Sequence, residues 1–312
     1  MCLVDFFDKY RYWRINRNRI LQKIYFYQIV NRAIDIIANI ILPIYFYLTR
    51  SNPQYALSRN IESDRKMIIV SLTSFPLRLP KVWLVVECLL RQTVRPDRII
   101  LYLTKEQVGT KSNLPKSLKS LCSRGLEIVL CDDNIRAHTK YYYAFLSHPE
   151  DIIITVDDDL FYRTNLIESM LNAHKQYPTA IIANWVKEIL PTTSLYSEWP
   201  DVLQSKYANN FLFLGVGGVL YPPHCMYEDV LNIKLIKELS FTADDVWLSG
   251  MALLKQTPVF FTQYKHNHLP VFIHNNKTLI SVNRMQNQVQ VDNINSYYKK
   301  EIGIEPFKDI FH

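Results

Sequence analysis

Short apolar runs, each closed by a polar or acidic cluster, recur through the middle of the chain. Met67-Ile-Ile-Val-Ser-Leu-Thr, Arg98-Ile-Ile-Leu-Tyr-Leu, Leu126-Glu-Ile-Val-Leu and Ile152-Ile-Ile-Thr-Val are rich in β-branched residues. Runs of this kind read as strands of a parallel sheet buried on both faces. Residues 80–92 place Val82, Leu84, Val85, Cys88 and Leu89 at helical spacing between the first two runs, which closes a βαβ unit. A loop and a short helix stopping at Gly125 fill 105–125, and a helix from about His138 to Leu146 leads into the fourth run. Strands alternating with helices in this way predict a doubly wound α/β half of the nucleotide-binding type.

The pattern continues less regularly. Leu160–Tyr177 reads as a helix and Thr179–Asn184 as a short strand. Residues 185–210 are aromatic and loop-rich, with Trp185, Tyr196, Trp199 and Tyr207. Phe211–Pro223 reads as a strand broken by glycines and ended by prolines. A loop and short helix over 226–239 precede a helix opening at Ala243-Asp-Asp-Val-Trp. Val259-Phe-Phe and Pro270-Val-Phe-Ile read as late strands, and 275–312 as a surface helix with a frayed end.

The first 66 residues stand apart. Aromatics and arginines mix over 1–33, and 34–48 are apolar apart from Asp35, Asn39 and Pro43. That stretch is short for a membrane span, which needs about 20 mostly apolar residues, and no small-residue cleavage site follows it. A segment lying on an anionic membrane surface is expected. The alternatives are a helical hairpin packed on the main domain or on a twin subunit, giving a homodimer. Residues 49–66 read as a linker.

Charge sharpens this division. Of a net +7, residues 1–66 carry a surplus of six, with eleven Lys/Arg against five Asp/Glu, and the rest of the chain nearly balances. The basic character therefore belongs to the extension, and a nucleic-acid-binding main domain is not expected. Five scattered cysteines without CxxC spacing speak against a disulfide framework or zinc site and for a reducing, cytoplasmic compartment. The expected organisation is an extension over 1–66, a catalytic domain over 67–275 and a tail over 276–312.

Candidate chemistry sits at two acidic sites. Asp157-Asp158-Asp159 follows the fourth strand, at the carboxyl edge where open α/β sheets bind ligands. Adjacent carboxylates repel unless solvated or neutralised, and oxygen ligands at this density suit Mg²⁺ or Mn²⁺ bridging to phosphate. An acidic turn is the plain alternative. Asp244-Asp245 open a helix, where the dipole favours the ionised form and a carboxylate can serve as general base or simply cap the helix. With only seven glycines in the chain, the cluster Gly215, Gly217 and Gly218 marks a special backbone need, a pocket edge or a β-bulge. It is neither a Rossmann fingerprint nor a P-loop.

In this order, Ile69-Val-Ser-Leu-Thr-Ser-Phe-Pro-Leu-Arg78, Leu90–Tyr102, Thr139-Lys-Tyr141, Val156-Asp-Asp-Asp-Leu-Phe-Tyr162, Gly217–Pro223 and Ala243-Asp-Asp-Val-Trp247 resemble a GT-A fold glycosyltransferase. The likeness is to bacterial family-2-like enzymes of surface polysaccharide synthesis and covers about 67–275. It implies a mostly parallel sheet flanked by helices and metal-dependent, inverting transfer from a nucleotide-sugar donor, UDP-linked, to a glycan or lipid-linked acceptor at the inner membrane face. Thr73, Phe75 and Arg78 would then meet the nucleotide, with Asp132 or Asp133 near base or ribose and Lys140 near the phosphates. Asp157 and Asp159 would hold Mn²⁺ or Mg²⁺, with Asp158 beside them unassigned. Asp245 or Asp244 would be the base, and Gly217 and Gly218 would line the pocket. A late histidine, His266, His268 or preferably His274, would add a metal or phosphate ligand. Trp185 and Trp199 are expected to pack in the core or to stack on the acceptor sugar. A Mg²⁺-dependent phosphotransferase or nucleotidyltransferase, and a non-catalytic sugar-nucleotide-binding subunit, are the competing classes.

Overall fold

The computed structural model describes residues 2–11, 25–58, 65–262, 264, 267–272 and 280–309, with only the backbone path for 280–285. The four apolar runs form β1 (Ile68–Thr73), β2 (Arg98–Thr104), β3 (Leu126–Cys131) and β4 (Ile152–Thr155). Shorter strands follow: β5 (Ile181–Ala183), β6 (Val186–Glu188), β7 (Lys206–Ala208), β8 (Phe211–Phe213), β9 (Val219–Tyr221) and β10 (Val259–Phe261). The helices of more than one turn are α1 (Leu3–Tyr10), α2 (Phe26–Thr49), α3 (Leu79–Leu90), α4 (Thr139–Ser147), α5 (Leu166–Gln176), α6 (Ile233–Leu239), α7 (Asp244–Lys255) and α8 (Ile280–Ile302).

The protein is a mixed α/β fold with one eight-stranded sheet in the order β3-β2-β1-β4-β9-β5-β10-β7, and β6 and β8 paired separately. All strands of the large sheet but β9 and β7 run in one direction. Alternating side chains of the same strands feed two cores. Val70, Leu72, Leu101 and Ile154 pack with α3 and α5. Ile69, Ile100 and Ile153 pack with Tyr141 of α4 and Trp247 of α7. Burial on both faces explains the unbroken apolar runs.

The reversal at β9 positions the site. Thr155, at the end of β4, pairs antiparallel with Val219, at the start of β9. The carboxyl end of β4 therefore lies beside the glycine turn that leads into β9, and Ala183 of β5 pairs with the same Val219.

Four expectations change. The helix after the acidic run begins at Leu166, not Leu160. Leu160 instead bridges Pro270, Phe161 and Tyr162 are fully buried, and Asp5 accepts the Thr164 N–H at 2.9 Å and its hydroxyl at 2.6 Å. The late strand at 270 shrinks to that one bridge, with Ile273 outside the described residues. The tail helix keeps an exposed face but is docked by the other, since Val291, Ile294 and Tyr298, with Phe307 beyond the helix, are buried in the second core. Part of 49–66 is also docked: the Leu57 N–H donates to Arg124 O at 2.9 Å and Arg124 donates to Tyr55 O.

The extension packs on the domain. Val4 and Phe7 of α1 and Ala38, Leu42 and Phe46 of α2 belong to the first core. Two of the three residues that interrupt the apolar stretch, Asp35 and Asn39, face inward. Asp35 pairs with Arg11 at 2.7 Å. Asn39 donates to Pro270 O at 2.8 Å and accepts the Phe272 N–H at 2.7 Å. By length and composition α2 is long and apolar enough to cross a membrane, but buried Tyr27, Asn31, Asp35, Ala38, Leu42 and Phe46 run its whole length. It lies along the domain.

Two measurements test this attachment. Leu42, with no exposed surface, leaves a cavity on truncation, so Leu42→Ala is expected to cost about 2–5 kcal/mol in a single urea transition. A loss below about 1 kcal/mol, or a separate early transition, would show α2 to be a loose appendage. Asp8 is fully buried and accepts the Asn267 N–H at 2.9 Å. Burial, opposed by that bond and by Arg163 and Arg11, lifts its carboxyl to about 7. Between about 4 and 7 the folded chain therefore holds a proton that the unfolded chain has lost, so this group lowers stability as pH rises through that window. Asp8→Asn is expected to flatten the stability slope between pH 5 and pH 7.5, by an amount on the order of 1 kcal/mol or more. Equal slopes in the two proteins would refute the assignment.

Candidate active site

Four element ends converge at the carboxyl edge of the sheet: the end of β4, the loop after β1, the first turn of α4 and the start of α7. Beside them runs the turn from Gly215 to Gly218. The Val156 N–H donates to Ser71 O at 3.1 Å, which carries the pairing one residue past β4 and delivers the acidic run at the edge. The Asp157 N–H donates to the Tyr162 hydroxyl at 2.8 Å.

The three adjacent carboxylates have different surroundings. Asp158 is buried, accepts the Ser74 hydroxyl at 2.5 Å and is bound by Arg78. Burial raises its pKa in spite of Arg78. Both its oxygens are engaged by the loop after β1, so it ties that loop to the strand end. Asp157 and Asp159 keep 28% and 33% of their side chains exposed, which leaves them open to a ligand. Asp157 pairs with Lys140 at 2.8 Å and Asp159 with Arg78 at 3.0 Å. Burial, with Arg78 opposing it, lifts Asp159 to about 6.

Lys140 organises the second acidic pair. It is buried and reaches Asp157 at 2.8 Å and Asp244 at 3.0 Å. Burial alone would discharge it, but Asp157, Asp244 and Asp245 together raise its pKa well above the ordinary lysine value. Burial works to raise Asp244 as well. Lys140, then His138, outweigh it and hold that carboxyl below its usual range. Asp245 shows the opposite. Burial, then the charge of Asp244, push it well above the ordinary aspartate value. Neighbouring carboxylates whose pKa values are driven apart suit different roles.

The glycine turn closes the site. The Gly215 N–H donates to Asp245 Oδ1 at 2.8 Å. A Cβ at Gly215 would stand 3.1 Å from Asp245 Oδ1, 3.2 Å from Lys140 Nζ and 3.7 Å from Asp157 Oδ1. A side chain here would crowd Asp245 and Lys140, which would have to give by a few tenths of an ångström. Gly218 has φ +84 and Gly217 packs against Asn184, so these two shape the turn behind the site.

The remaining sequence candidates lie further out. Thr73 donates its hydroxyl to Tyr102 O at 2.9 Å, and the Phe75 ring lies 5.0 Å from the Arg78 guanidinium. Asp132 is exposed and pairs with Lys105 at 2.5 Å. The Asp133 N–H donates to the Tyr143 hydroxyl at 3.2 Å. Trp199 is buried against Phe307, whereas Trp185 donates to Asp201 and stacks obliquely near His268. His266 and His274 lie outside the described residues. Sequence reading missed Ser74, Tyr162 and His138. Burial drives His138 down to about 4, so it is neutral and bonds Ser240 O and Tyr141. Its place two residues before Lys140 was a signal.

Among the described residues no three His, Cys, Asp or Glu side chains are gathered closely enough to cage a metal. Mg²⁺ bound to phosphates uses one or two carboxylates and completes its shell with water and phosphate oxygens. The half-open Asp157 and Asp159 fit that pattern.

No family model and no curated protein matches the sequence. Solved structures similar to the chain include a mannosyltransferase from Pyrobaculum calidifontis in complex with GDP-Man and Mn²⁺, at 14% identity and TM-score 0.47, covering 89% of this chain and 78% of that one. A UTP-bound UGPase from Acinetobacter baumannii matches at 10% identity and TM-score 0.39, covering 77% and 96%. An apo UDP-glucose pyrophosphorylase matches at 10% identity and TM-score 0.38, covering 76% and 99%. At these values the likenesses say nothing about individual residues.

Removing Lys140 tests the charge balance. Lys140→Met leaves buried Asp244 without its ammonium and is expected to cost about 3–5 kcal/mol in denaturant unfolding. Adding Asp244→Asn should recover a substantial part. Strict additivity of the two losses would show that the pair is not coupled.

Proposed function

We propose that the protein is a metal-dependent glycosyltransferase that moves a sugar from a nucleotide-sugar donor, UDP-linked, to a glycan or lipid-linked acceptor. The setting proposed is surface polysaccharide synthesis at the cytoplasmic face of the cell membrane. The observation that carries the reading is the convergence of Asp157 and Asp245, one from each acidic site, on Gly215. The open pair Asp157 and Asp159 suits a cation on a diphosphate, and Asp245 suits proton transfer.

A divalent ion held by Asp157 and Asp159 would neutralise the diphosphate as it leaves. Lys140 lies 2.8 Å from Asp157 and supplies a fixed positive charge on the same side. Arg78 adds a second through Asp159. Their positions are set before substrate arrives, so little reorganisation is needed when charge develops. Asp245 takes the proton from the acceptor hydroxyl as its oxygen attacks the anomeric carbon, and the bond to the diphosphate breaks in one displacement. An elevated pKa makes this carboxylate a stronger base than an ordinary aspartate, and the ionised fraction does the work. The Gly215 N–H fixes its orientation.

A panel of nucleotide sugars with and without Mn²⁺ tests the reading. UDP and Mn²⁺ together are expected to raise the melting temperature, and one sugar nucleotide should turn over to free UDP with a new glycosidic bond. Asp157→Asn should remove the shift. Asp245→Asn should keep it while lowering turnover by about 10²–10⁴-fold. Full activity in Asp157→Asn would end the metal role. A phosphodiester product with release of pyrophosphate would reassign the site to nucleotidyl transfer.

A further inference from the structure

We propose that the outward face of α2 docks on an anionic lipid bilayer. The proposal builds on the glycosyltransferase reading for its purpose, but its evidence is separate. Helices on protein surfaces turn apolar residues inward and polar ones to water; α2 buries Ala38, Leu42 and Phe46 in this way but leaves a second apolar face outside. Three of its polar residues, Asn31, Asp35 and Asn39, lie on the inner side, where Asp35 and Asn39 are engaged by Arg11, Pro270 and Phe272, while Gln28 and Arg32 are exposed. Its exposed positions include Ile29 at 65%, Ile40 at 59%, Ile44 at 56% and Leu48 at 71%, with Ile36 and Ile37 between them. These fall at helical spacing and make one continuous aliphatic stripe. A stripe of this size on an exposed helix marks an interaction site.

Charge and aromatic placement favour lipid over a second copy of the chain. Three acidic residues of the extension are already engaged, Asp5 by Thr164, Asp8 by Asn267 and Asp35 by Arg11. Lys9, Arg32 and Arg50 remain exposed, lying over the rings of Tyr10, Phe272 and Tyr47. A two-fold pairing of the stripe would bring like charges together, whereas an anionic headgroup layer attracts them. Tyr25 and Phe26 begin the helix and Tyr47 ends it, all exposed. Aromatics at the margins of an aliphatic face are suited to the headgroup level. Because α2 is packed along its whole length, it lies in the interface with its apolar face down and does not span.

Flotation of the full-length protein with vesicles tests this. Vesicles containing phosphatidylglycerol are expected to carry the protein, pure phosphatidylcholine to carry far less, and high salt to release it. The triple variant Ile37→Gln, Ile40→Gln, Ile44→Gln changes exposed positions only, so it should melt like the parent and bind about tenfold or more weakly. Equal binding by parent and variant, no binding by either, or equal capture by both lipids would overturn the proposal. So would a dimer seen by light scattering that the variant dissolves and that binds no vesicles, which would assign the face to a second copy. Flotation needs neither donor nor metal. Its failure leaves the transfer reading standing, and a failed nucleotide-sugar panel leaves docking standing.

Discussion

Mutual repulsion among carboxylates is the constraint around which this molecule is built. Asp157, Asp158, Asp159, Asp244 and Asp245 meet at one sheet edge, and water cannot screen all of them there. Two cations resolve the conflict in different ways. Arg78 neutralises Asp158 and Asp159 from the loop after β1. Lys140 bridges Asp157 and Asp244 from α4. Each cation joins elements distant in sequence, so charge balance and tertiary structure are the same set of contacts. The arrangement also sorts the acids. Asp158 is consumed by the fold, Asp157 and Asp159 stay open, and Asp245 is left beside a charged neighbour with a raised pKa.

The sheet makes this meeting possible. A purely parallel sheet would set the end of β4 beside the end of its neighbour. Reversing β9 sets it beside that neighbour's beginning, where the chain has just turned through Gly215–Gly218. Helix α7 packs on β8, where the Phe213 N–H reaches the Ser249 hydroxyl, and so presents Asp245 to that turn. The closeness of Gly215 to both Asp245 and Lys140 follows from the strand order, and a side chain there would crowd both.

Much of this was legible in the residues because the first half of the chain obeys local rules. Strands β1 to β4 are buried on both faces and therefore show as apolar runs, and α3 and α7 carry their own periodic signals. The run Asp157–Asp159 announces itself by composition. What sequence could not separate was Asp158 from its neighbours, because the difference lies in Ser74 and Arg78, some 80 residues earlier. Leu160–Tyr162 looked helical because Leu, Phe and Tyr fit either state. Contacts with Pro270 and with α1 decide the matter. The tail misled for a related reason: its polar composition hid the four residues that enter the core.

Asp35, Asn39 and Pro43 looked like interruptions of an apolar segment. Asp35 and Asn39 help to fasten α2: Asn39 bonds the domain directly, and Asp35 holds Arg11, which donates to Asn267 O. Asn39 holds the backbone of residues 270 and 272. On its other side that same segment accepts the Phe161 N–H at Leu269 and donates the Val271 N–H to Asp159 O at 2.8 Å. One short stretch of chain thus lies between the amphipathic helix and the acidic run. Backbone hydrogen bonds at both sides make it a stiff spacer. The polar residues in α2 cost apolar surface that a free membrane segment would keep. In return the helix is fixed in orientation to the strand end that carries Asp157 and Asp159.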